Sequence, residues 1–233
     1  MLLEVTDLNT YYGQSHALQN ISFNVEEGEV VALLGRNGMG KSTTLKSIMG
    51  LLKPRSGKIQ FDGRNIAGLN PFKVARAGIG YVPEERRIFP TLSVLDNLKM
   101  GIKGSTTPNT WTIERIFEHF PFMKDRTHQK GGHLSGGEQQ MLTIGRTLMG
   151  NPRLLMVDEP TEGLSPIMVK AVRDVLKQIK SSGISILLVE HNLKVALSVA
   201  DRVYLMGKAH IGYSGTAKEL DADAEVRKKY LEV

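Results

Sequence analysis

Leu33-Leu34-Gly35-Arg36-Asn37-Gly38-Met39-Gly40-Lys41-Ser42 contains the most specific sequence motif of this chain. It follows an apolar run and opens a helix-forming segment, which is the setting of the G-x-x-x-x-G-K-[ST] phosphate-binding pattern. The glycines let the backbone curl its N–H groups around phosphates. Lys41 supplies a positive charge for the β- and γ-phosphates, and the Ser42 hydroxyl is placed to ligate Mg²⁺. The segment predicts a nucleoside triphosphate site.

The composition limits the class of protein. A chain of 233 residues without internal repeats is expected to form one lobed domain. It has no cysteine, which excludes disulfides and thiolate chemistry. No signal peptide and no apolar run longer than a strand is found, so we expect a cytoplasmic location and no membrane-spanning segment. The net charge of +6 is scattered along the chain and is interpreted as solvated surface.

The apolar patterns predict a mixed α/β core. Val30 to Leu34, Leu154 to Val157 and Ile186 to Val189 are continuously apolar, as parallel strands covered on both faces must be. Ile21 to Val25 alternates apolar and polar residues, which favours a half-exposed antiparallel strand.

A helical segment is predicted to interrupt this core. Strand signals give way to helical spacing over residues 89–150, whereas residues 1–88 and 151–233 are assigned to the nucleotide-binding core with its antiparallel part. Residues 101–108 are expected to form a surface loop. The whole of 1–233 is treated as a single domain.

Polar side chains follow two of the buried strands. Asp158 and Glu159 end the strand from Leu154, and His191 follows the strand from Ile186. Ligands of such sheets bind outside the carboxyl ends of the strands. We therefore predict that Asp158 holds Mg²⁺, that Glu159 accepts the proton of an attacking water, and that His191 contacts the γ-phosphate.

A second glycine-rich turn precedes another helical run. Ser135, Gly136 and Gly137 stand where backbone N–H groups at a helix start would attract phosphate. Because the chain already has a complete phosphate loop, this turn predicts contact with a second nucleotide or with one held by a partner.

Taken together, these motifs resemble the ATP-binding subunits of ABC transporters over nearly the whole chain. Gly35 to Ser42 matches the Walker A loop of that family, Leu134 to Gln140 its signature loop, Leu154 to Glu159 its Walker B strand and His191 its switch histidine. The resemblance implies a phosphate-loop, RecA-like core with an antiparallel β subdomain and an inserted helical subdomain. It also implies a head-to-tail dimer in which Ser135 and Gly137 touch the γ-phosphate held by the facing subunit.

The resemblance assigns further site residues. Tyr12, chosen over Tyr11 because it precedes Gly13, would stack on adenine, and Glu84 would join Ser42 and Asp158 around Mg²⁺ although most of the family has glutamine there. Catalysis would depend on Lys41, Glu159 and His191. The phosphate and signature contacts would be Gly35, Arg36, Asn37, Gly38, Gly40, Lys41, Ser42, Thr43, Ser135 and Gly137.

A second departure from the family pattern concerns Ser165. It stands where the family usually has aspartate, and before Pro166 it also fits a helix N-cap. Its contribution across a dimer is therefore left open.

The departures at Glu84 and Ser165 and four segments resemble one branch, the importers of branched-chain amino acids and, within it, the second of two ATPase subunits. The segments are Arg86 to Pro90, Gly136 to Leu142, Gly163 to Pro166 and Val226 to Leu231. The implied partners are transmembrane permease subunits, a second ATPase that is a paralogue, and indirectly a solute-binding protein. The implied location is peripheral, on the cytoplasmic face of the inner or plasma membrane, and the cargo stays open among amino acids and small solutes such as urea and amides.

Two alternatives use the same nucleotide-binding residues. An exporter, for example one resembling the lipopolysaccharide-extracting ATPase, is not distinguished from an importer by these residues. Nucleic-acid-associated ABC ATPases carry either a long heptad coiled coil or two cassettes in one chain, and this sequence has neither. We therefore expect no nucleic-acid partner.

Overall fold

The computed structural model describes residues 1–103 and 110–231. The larger part of the predicted loop 101–108, residues 104–108, lies outside the described residues. A six-stranded sheet has the order β10-β9-β3-β8-β7-β6. Its strands are β3 (Val30–Gly35), β6 (Ile79–Val82), β7 (Leu154–Asp158), β8 (Ser185–Val189), β9 (Arg202–Gly207) and β10 (His210–Thr216).

Strands β6, β7, β8, β3 and β9 run parallel, and β10 is antiparallel to β9. Every residue of β3, β7 and β8 is buried, as the continuous apolar runs predicted. The register places Leu33 beside Val189, and Val189 beside Asp158. The carboxyl ends of β3, β8 and β7 therefore meet at one edge of the sheet.

A second sheet of four antiparallel strands has the order β2-β1-β4-β5. Its strands are β1 (Leu3–Tyr12), β2 (Ser15–Val25), β4 (Ser56–Phe61) and β5 (Arg64–Asn65). Residues Ile21, Phe23 and Val25 of β2 are buried and alternate with more exposed neighbours, so the antiparallel, half-exposed strand predicted there is observed.

Helices cover the six-stranded sheet. They are α1 (Lys41–Ile48), α2 (Pro71–Ala77), α3 (Val94–Lys99), α4 (Ile113–His119), α5 (Pro121–Asp125), α6 (Gly136–Leu148), α7 (Pro166–Ser181), α8 (Leu193–Val199), α9 (Ala217–Ala222) and α10 (Ala224–Tyr230). Between β6 and β7 the described residues form helices, a 3-10 turn at Gly131–His133 and one isolated β-bridge. The domain division at residues 88/89 and 150/151 stays a prediction.

The parallel sheet separates two hydrophobic cores. Val31 and Leu33 of β3 pack with the antiparallel sheet and α1, whereas Val30, Ala32 and Leu34 pack with the helices of the other face. This division follows from the alternation of side chains along a strand. No helix in the described part of the chain combines the length and hydrophobicity needed to cross a lipid bilayer.

Candidate functional site

The phosphate loop connects β3 with α1 and depends on backbone conformations that glycine adopts readily. Gly38 has φ +79° and Gly40 has φ +98°. A Cβ atom on Gly40 would lie 2.6 Å from Leu18 Cδ2 and 3.0 Å from the Ala17 carbonyl oxygen, so strain and space both require glycine there. Gly40 is also the N-cap of α1 and provides no side-chain cap. The first N–H groups of α1 therefore stay available to an anion.

Lys41 is buried over this loop. Its ammonium donates hydrogen bonds to the carbonyl oxygens of Gly35 (2.9 Å) and Arg36 (3.3 Å) and lies 3.3 Å from Glu159 Oε1. Its position is thus fixed by the loop on one side and by the end of β7 on the other. The charge is held where a bound phosphate would meet it.

Asp158 ends β7 with its side chain turned toward α1 and β6. Ser42 Oγ donates to Asp158 Oδ1 at 2.8 Å, and the Tyr81 hydroxyl donates to Oδ2 at 3.0 Å. Burial raises the pKa of the Asp158 carboxyl, and these two hydrogen bonds oppose that rise because they favour the charged form. The Ser42 hydroxyl and the carboxylate are hard oxygen donors of the kind that Mg²⁺ prefers, so these residues fit that ion.

Glu159 turns away from its neighbour Asp158. Its φ is +42°, an uncommon value for a side chain larger than hydrogen, and its N–H donates to the Val189 carbonyl oxygen at 2.9 Å. Glu159 Oε2 lies 3.3 Å from His191 Nδ1. Adjacent carboxylates at one strand end therefore face different groups: Ser42 and Tyr81 for Asp158, and Lys41 and His191 for Glu159. The positive φ of Glu159 is a strained backbone conformation at the site.

His191 lies among three acids, since Glu190 Oε1 is also 3.8 Å from its Nδ1. Besides Glu159, its ring contacts Glu162 through Nε2 to Oε2 at 3.2 Å. Ligand atoms of Glu159, Glu162 and His191 lie within 4.8 Å of one another, so they form a second place where a cation could bind.

The residues that line the cleft bring most of the predicted site together. They are Asn37, Gly38, Gly40, Lys41, Ser42, Thr43, Glu84, Glu159 and Glu162. Glu84 is exposed on this cleft, and burial together with the nearby charges of Glu159 and Asp158 raises its pKa. The cleft is thus a phosphate loop faced by several carboxylates, which suits a cation bound between phosphate and protein.

The second glycine-rich turn lies elsewhere in the chain. Ser135 caps α6 in a capping box with Glu138, in which the Ser135 N–H donates to Glu138 Oε2 at 2.8 Å and Ser135 Oγ accepts from the Glu138 N–H at 3.4 Å. Gly137 is buried beneath Met168, whose Cγ would lie 2.6 Å from an added Cβ. Among the described residues that line the phosphate cleft, neither Ser135 nor Gly137 is found. A single chain therefore does not bring the two glycine-rich turns together.

The two neighbouring tyrosines differ in their surroundings. The Tyr11 ring stacks on His16 with centroids 4.1 Å apart, and the Arg55 guanidinium lies 3.9 Å from its centroid. The Tyr12 side chain is 50% exposed at the end of β1. Tyr11 is therefore occupied within the fold, and Tyr12 presents its ring to solvent.

Ser165 occupies the N-cap position of α7 and Pro166 its first turn, as predicted. The Ser165 hydroxyl makes no capping hydrogen bond, however. The helix start here depends on proline at the first position, whose fixed φ is already helical.

Two residues with contacts at the site, Glu190 and Tyr81, were not predicted from the sequence. Glu190 is fully buried and accepts hydrogen bonds from Thr161 Oγ1 at 2.7 Å and from the N–H groups of His191 and Asn192 at 2.9 Å each. Tyr81 binds Asp158, as described above. Each stands at or near the end of an apolar strand, which is the signal that could have identified them.

Comparison with known proteins agrees with this geometry. The family model described as "ABC transporter" matches residues 18–162, which is more than half of the chain. The chain belongs to the ABC transporter family.

Relatives of this ABC ATPase include transport proteins of two kinds. The high-affinity branched-chain amino acid transport ATP-binding protein BraG of Pseudomonas aeruginosa is 40% identical over 99% of each chain. The lipopolysaccharide export system ATP-binding protein LptB of Escherichia coli is 33% identical and covers 98% of this chain and 96% of its own length. The chain is an ATP-hydrolysing subunit of a transporter.

Solved structures share the fold. The ADP conformation of MJ1267, an ATP-binding cassette of an ABC transporter, has a TM-score of 0.83 at 28% identity and covers 97% of both chains. This likeness confirms the predicted fold class of an ABC ATPase core with an antiparallel sheet and inserted helices.

Proposed function

We propose that this ABC ATPase binds Mg²⁺-ATP at a dimer interface and drives an importer of branched-chain amino acids or related small solutes. The observation that carries the import assignment is the 40% identity to BraG across 99% of both chains. The LptB relative matches at 33% identity over 98% of this chain and 96% of its own length, and this lower identity supports import over export.

Hydrolysis is assigned to the cleft between the phosphate loop and the end of β7. The loop N–H groups and Lys41 would bind the phosphates, and Ser42, Asp158 and Glu84 would hold Mg²⁺. When bound, Mg²⁺ neutralises phosphate charge as a Lewis acid. Catalysis here is mainly positioning and electrostatic stabilisation.

The attacking water is assigned to Glu159. The Glu159 carboxylate lies at contact distance from both Lys41 and His191. A water between Glu159 and the γ-phosphate would therefore lie next to the base, Glu159, and next to two residues that bind the phosphate, Lys41 and His191. Glu159 takes the water proton while His191 steadies the γ-phosphate.

A partner ATPase completes the site. Ser135 is exposed at the start of the 13-residue helix α6, whose N-terminus attracts anions, and it is absent from the lining of its own chain's phosphate cleft within the described residues. Ser135 and Gly137 would therefore contact the γ-phosphate held by the facing subunit. The branch resemblance favours a paralogue as that subunit. Tyr12 of this chain would stack on adenine.

A groove beside β6 is proposed as the permease-docking site. It encloses about 420 Å³ and is lined by Met49, Leu51, Pro71, Ala75, Ile79, Gly80, Tyr81, Pro83, Arg87, Phe89, Met100, Gly101, Lys103, Arg146 and Thr147. Leu51, Phe89 and Met100 are exposed apolar side chains at this groove. Such a patch on a monomer favours a protein partner.

The groove also contains cations that burial disfavours. Burial lowers the pKa of both Lys103 and Arg146, and Arg146 Nη1 is buried without a hydrogen-bond partner among residues 1–103 and 110–231. Lys103 Nζ already donates to the Ala75 carbonyl oxygen at 3.1 Å, so the group that an acidic side chain would satisfy is Arg146 Nη1. The occupant that fits is a short amphipathic helix of the permease that carries a carboxylate, which places this chain peripherally on the cytoplasmic face of the membrane.

Uptake by intact cells tests the import assignment. A strain that lacks this chain should lose uptake of radiolabelled leucine, isoleucine or valine, and regain it with the unmodified gene but not with Glu159→Gln. A solute-binding protein acts upstream of the permease in this scheme. Normal uptake together with a defect in lipopolysaccharide export would establish the alternative assignment instead.

A further inference from the structure

Tyr81 makes one contact that the assigned chemistry does not use. It is the third residue of β6, which pairs with β7 so that Tyr81 lies beside Met156. The Tyr81 hydroxyl donates to Asp158 Oδ2 at 3.0 Å, while Ser42 holds Oδ1 at 2.8 Å. Each carboxylate oxygen thus has its own donor, and the plane of the carboxylate is fixed.

The phenol acts as a donor only. The Asp158 carboxylate oxygen lies 3.0 Å from the hydroxyl and can only accept, so the phenol is the donor of this hydrogen bond. A neutral donor orients the carboxylate without adding a positive charge that would compete with a cation.

The Tyr81 ring has a second set of neighbours. It lines the groove beside β6 together with Leu51, Pro83 and Arg87. The same four residues also line a small cavity of about 40 Å³ that reaches Glu84 and Asp158. Tyr81 therefore lines the groove and also bonds the Asp158 carboxylate through its hydroxyl.

We propose that Tyr81 is a positioning residue that orients Asp158 for Mg²⁺-nucleotide and makes this orientation respond to the molecule bound in the groove. The proposal rests on the proposed function of both places. Pressure on the ring from a docked helix moves the hydroxyl, and the Asp158 carboxylate follows because its other oxygen is held by Ser42 alone.

Binding of Mg²⁺ and nucleotide, measured without hydrolysis, tests whether Tyr81 orients Asp158. The full chain is titrated with Mg²⁺ in the presence of a fluorescent, non-hydrolysable ATP analogue. Tyr81→Phe should raise the Mg²⁺ concentration for half-saturation by about tenfold, since loss of a residue that orients a metal ligand typically costs 10–100-fold in metal affinity. Tyr204→Phe is the matched control, because its hydroxyl bonds Asn24 Oδ1 at 2.9 Å and has no contact with Asp158.

The absence of cysteine allows a specific test of the groove. Leu51 is 52% exposed, so Leu51→Cys can be labelled with a bulky maleimide that fills the groove next to Tyr81. The label should change the Mg²⁺ half-saturation by at least about threefold when Tyr81 is present and leave it unchanged in the Tyr81→Phe background. The unlabelled Leu51→Cys chain is the reference in both backgrounds.

The outcomes distinguish the role of Tyr81 at Asp158 from its link to the groove. Equal Mg²⁺ half-saturation for Tyr81→Phe and the unmodified chain, with both folded by circular dichroism, overturns the positioning role. A label effect of equal size in both backgrounds, or none in either, overturns the link to the groove. If the unmodified chain shows no Mg²⁺-dependent nucleotide binding, the proposed function itself is wrong and this inference falls with it.

Discussion

Replacing Glu159 with glutamine is the sharpest perturbation of the proposed hydrolysis site. The amide has the same shape as the carboxylate and keeps oxygen within reach of Lys41 Nζ, which lies 3.3 Å from Glu159 Oε1. The side chain is only 11% exposed, so few solvent contacts change. Glutamine cannot accept the water proton, and loss of a general base costs about 10²–10⁴-fold in rate, or roughly 3–5 kcal/mol in the barrier.

The same substitution should strengthen ATP binding. Glu159→Gln removes one negative charge from a cleft that already contains Glu84 and Glu162, and this lowers repulsion of the phosphates. We expect an ATP-bound dimer to accumulate because binding and closure survive while proton removal is lost.

Two measurements check this prediction on one preparation. Single-turnover phosphate release gives the rate of the chemical step, and light scattering with ATP gives the fraction of dimer. Glu27→Gln is the control, since it makes the same chemical change at a 68% exposed carboxylate paired with Arg153. Hydrolysis by Glu159→Gln at the unmodified rate would refute the assignment of the base.

Three further predictions concern adenine, the fold and coupling. Tyr12→Ala should weaken ATP binding in a fluorescence titration by about 1–3 kcal/mol through lost stacking, whereas Tyr12→Phe should not, and equal affinity of all three proteins would contradict the role of Tyr12. Gly50→Ala should lower the free energy of unfolding by roughly 2–4 kcal/mol, because φ is +76° and an added Cβ would lie 2.0 Å from the Leu69 carbonyl oxygen. Gly63→Ala, at φ +71° with open space among the described residues, should cost only about 1 kcal/mol, and similar melting temperatures for the two variants would show the clash to be unimportant. Phe89→Ala, at the exposed rim of the groove, should reduce solute transported per ATP hydrolysed in reconstituted vesicles while the isolated chain keeps its ATPase rate, and an unchanged ratio would exclude a coupling role.

Much of the site was predictable because short-range spacing determines it. The phosphate loop, Gly35 to Ser42, spans eight consecutive residues, and Asp158, Glu159 and His191 each follow an apolar run. Parallel strands bring their carboxyl ends to one edge, so the convergence of these side chains follows from strand identity alone.

Other contacts depend on pairings that spacing does not encode. Tyr81 and Asp158 are 77 residues apart, and their hydrogen bond exists because β6 pairs with β7 in one particular register. Glu190 and Thr161 are 29 residues apart, and they meet because β7 and β8 are neighbouring parallel strands that end at the same edge of the sheet. The sequence also does not predict the positive φ at Glu159, since glutamate has no preference for that conformation.

The import function is tested most directly by its partners. This chain is tagged in its native cell, membranes are solubilised gently, and the copurifying proteins are identified by mass spectrometry. We expect two permease chains, a second ABC ATPase and a solute-binding protein. Lipopolysaccharide export proteins, ribosomes or DNA-associated proteins in their place would contradict the import function and leave only the ATPase chemistry standing.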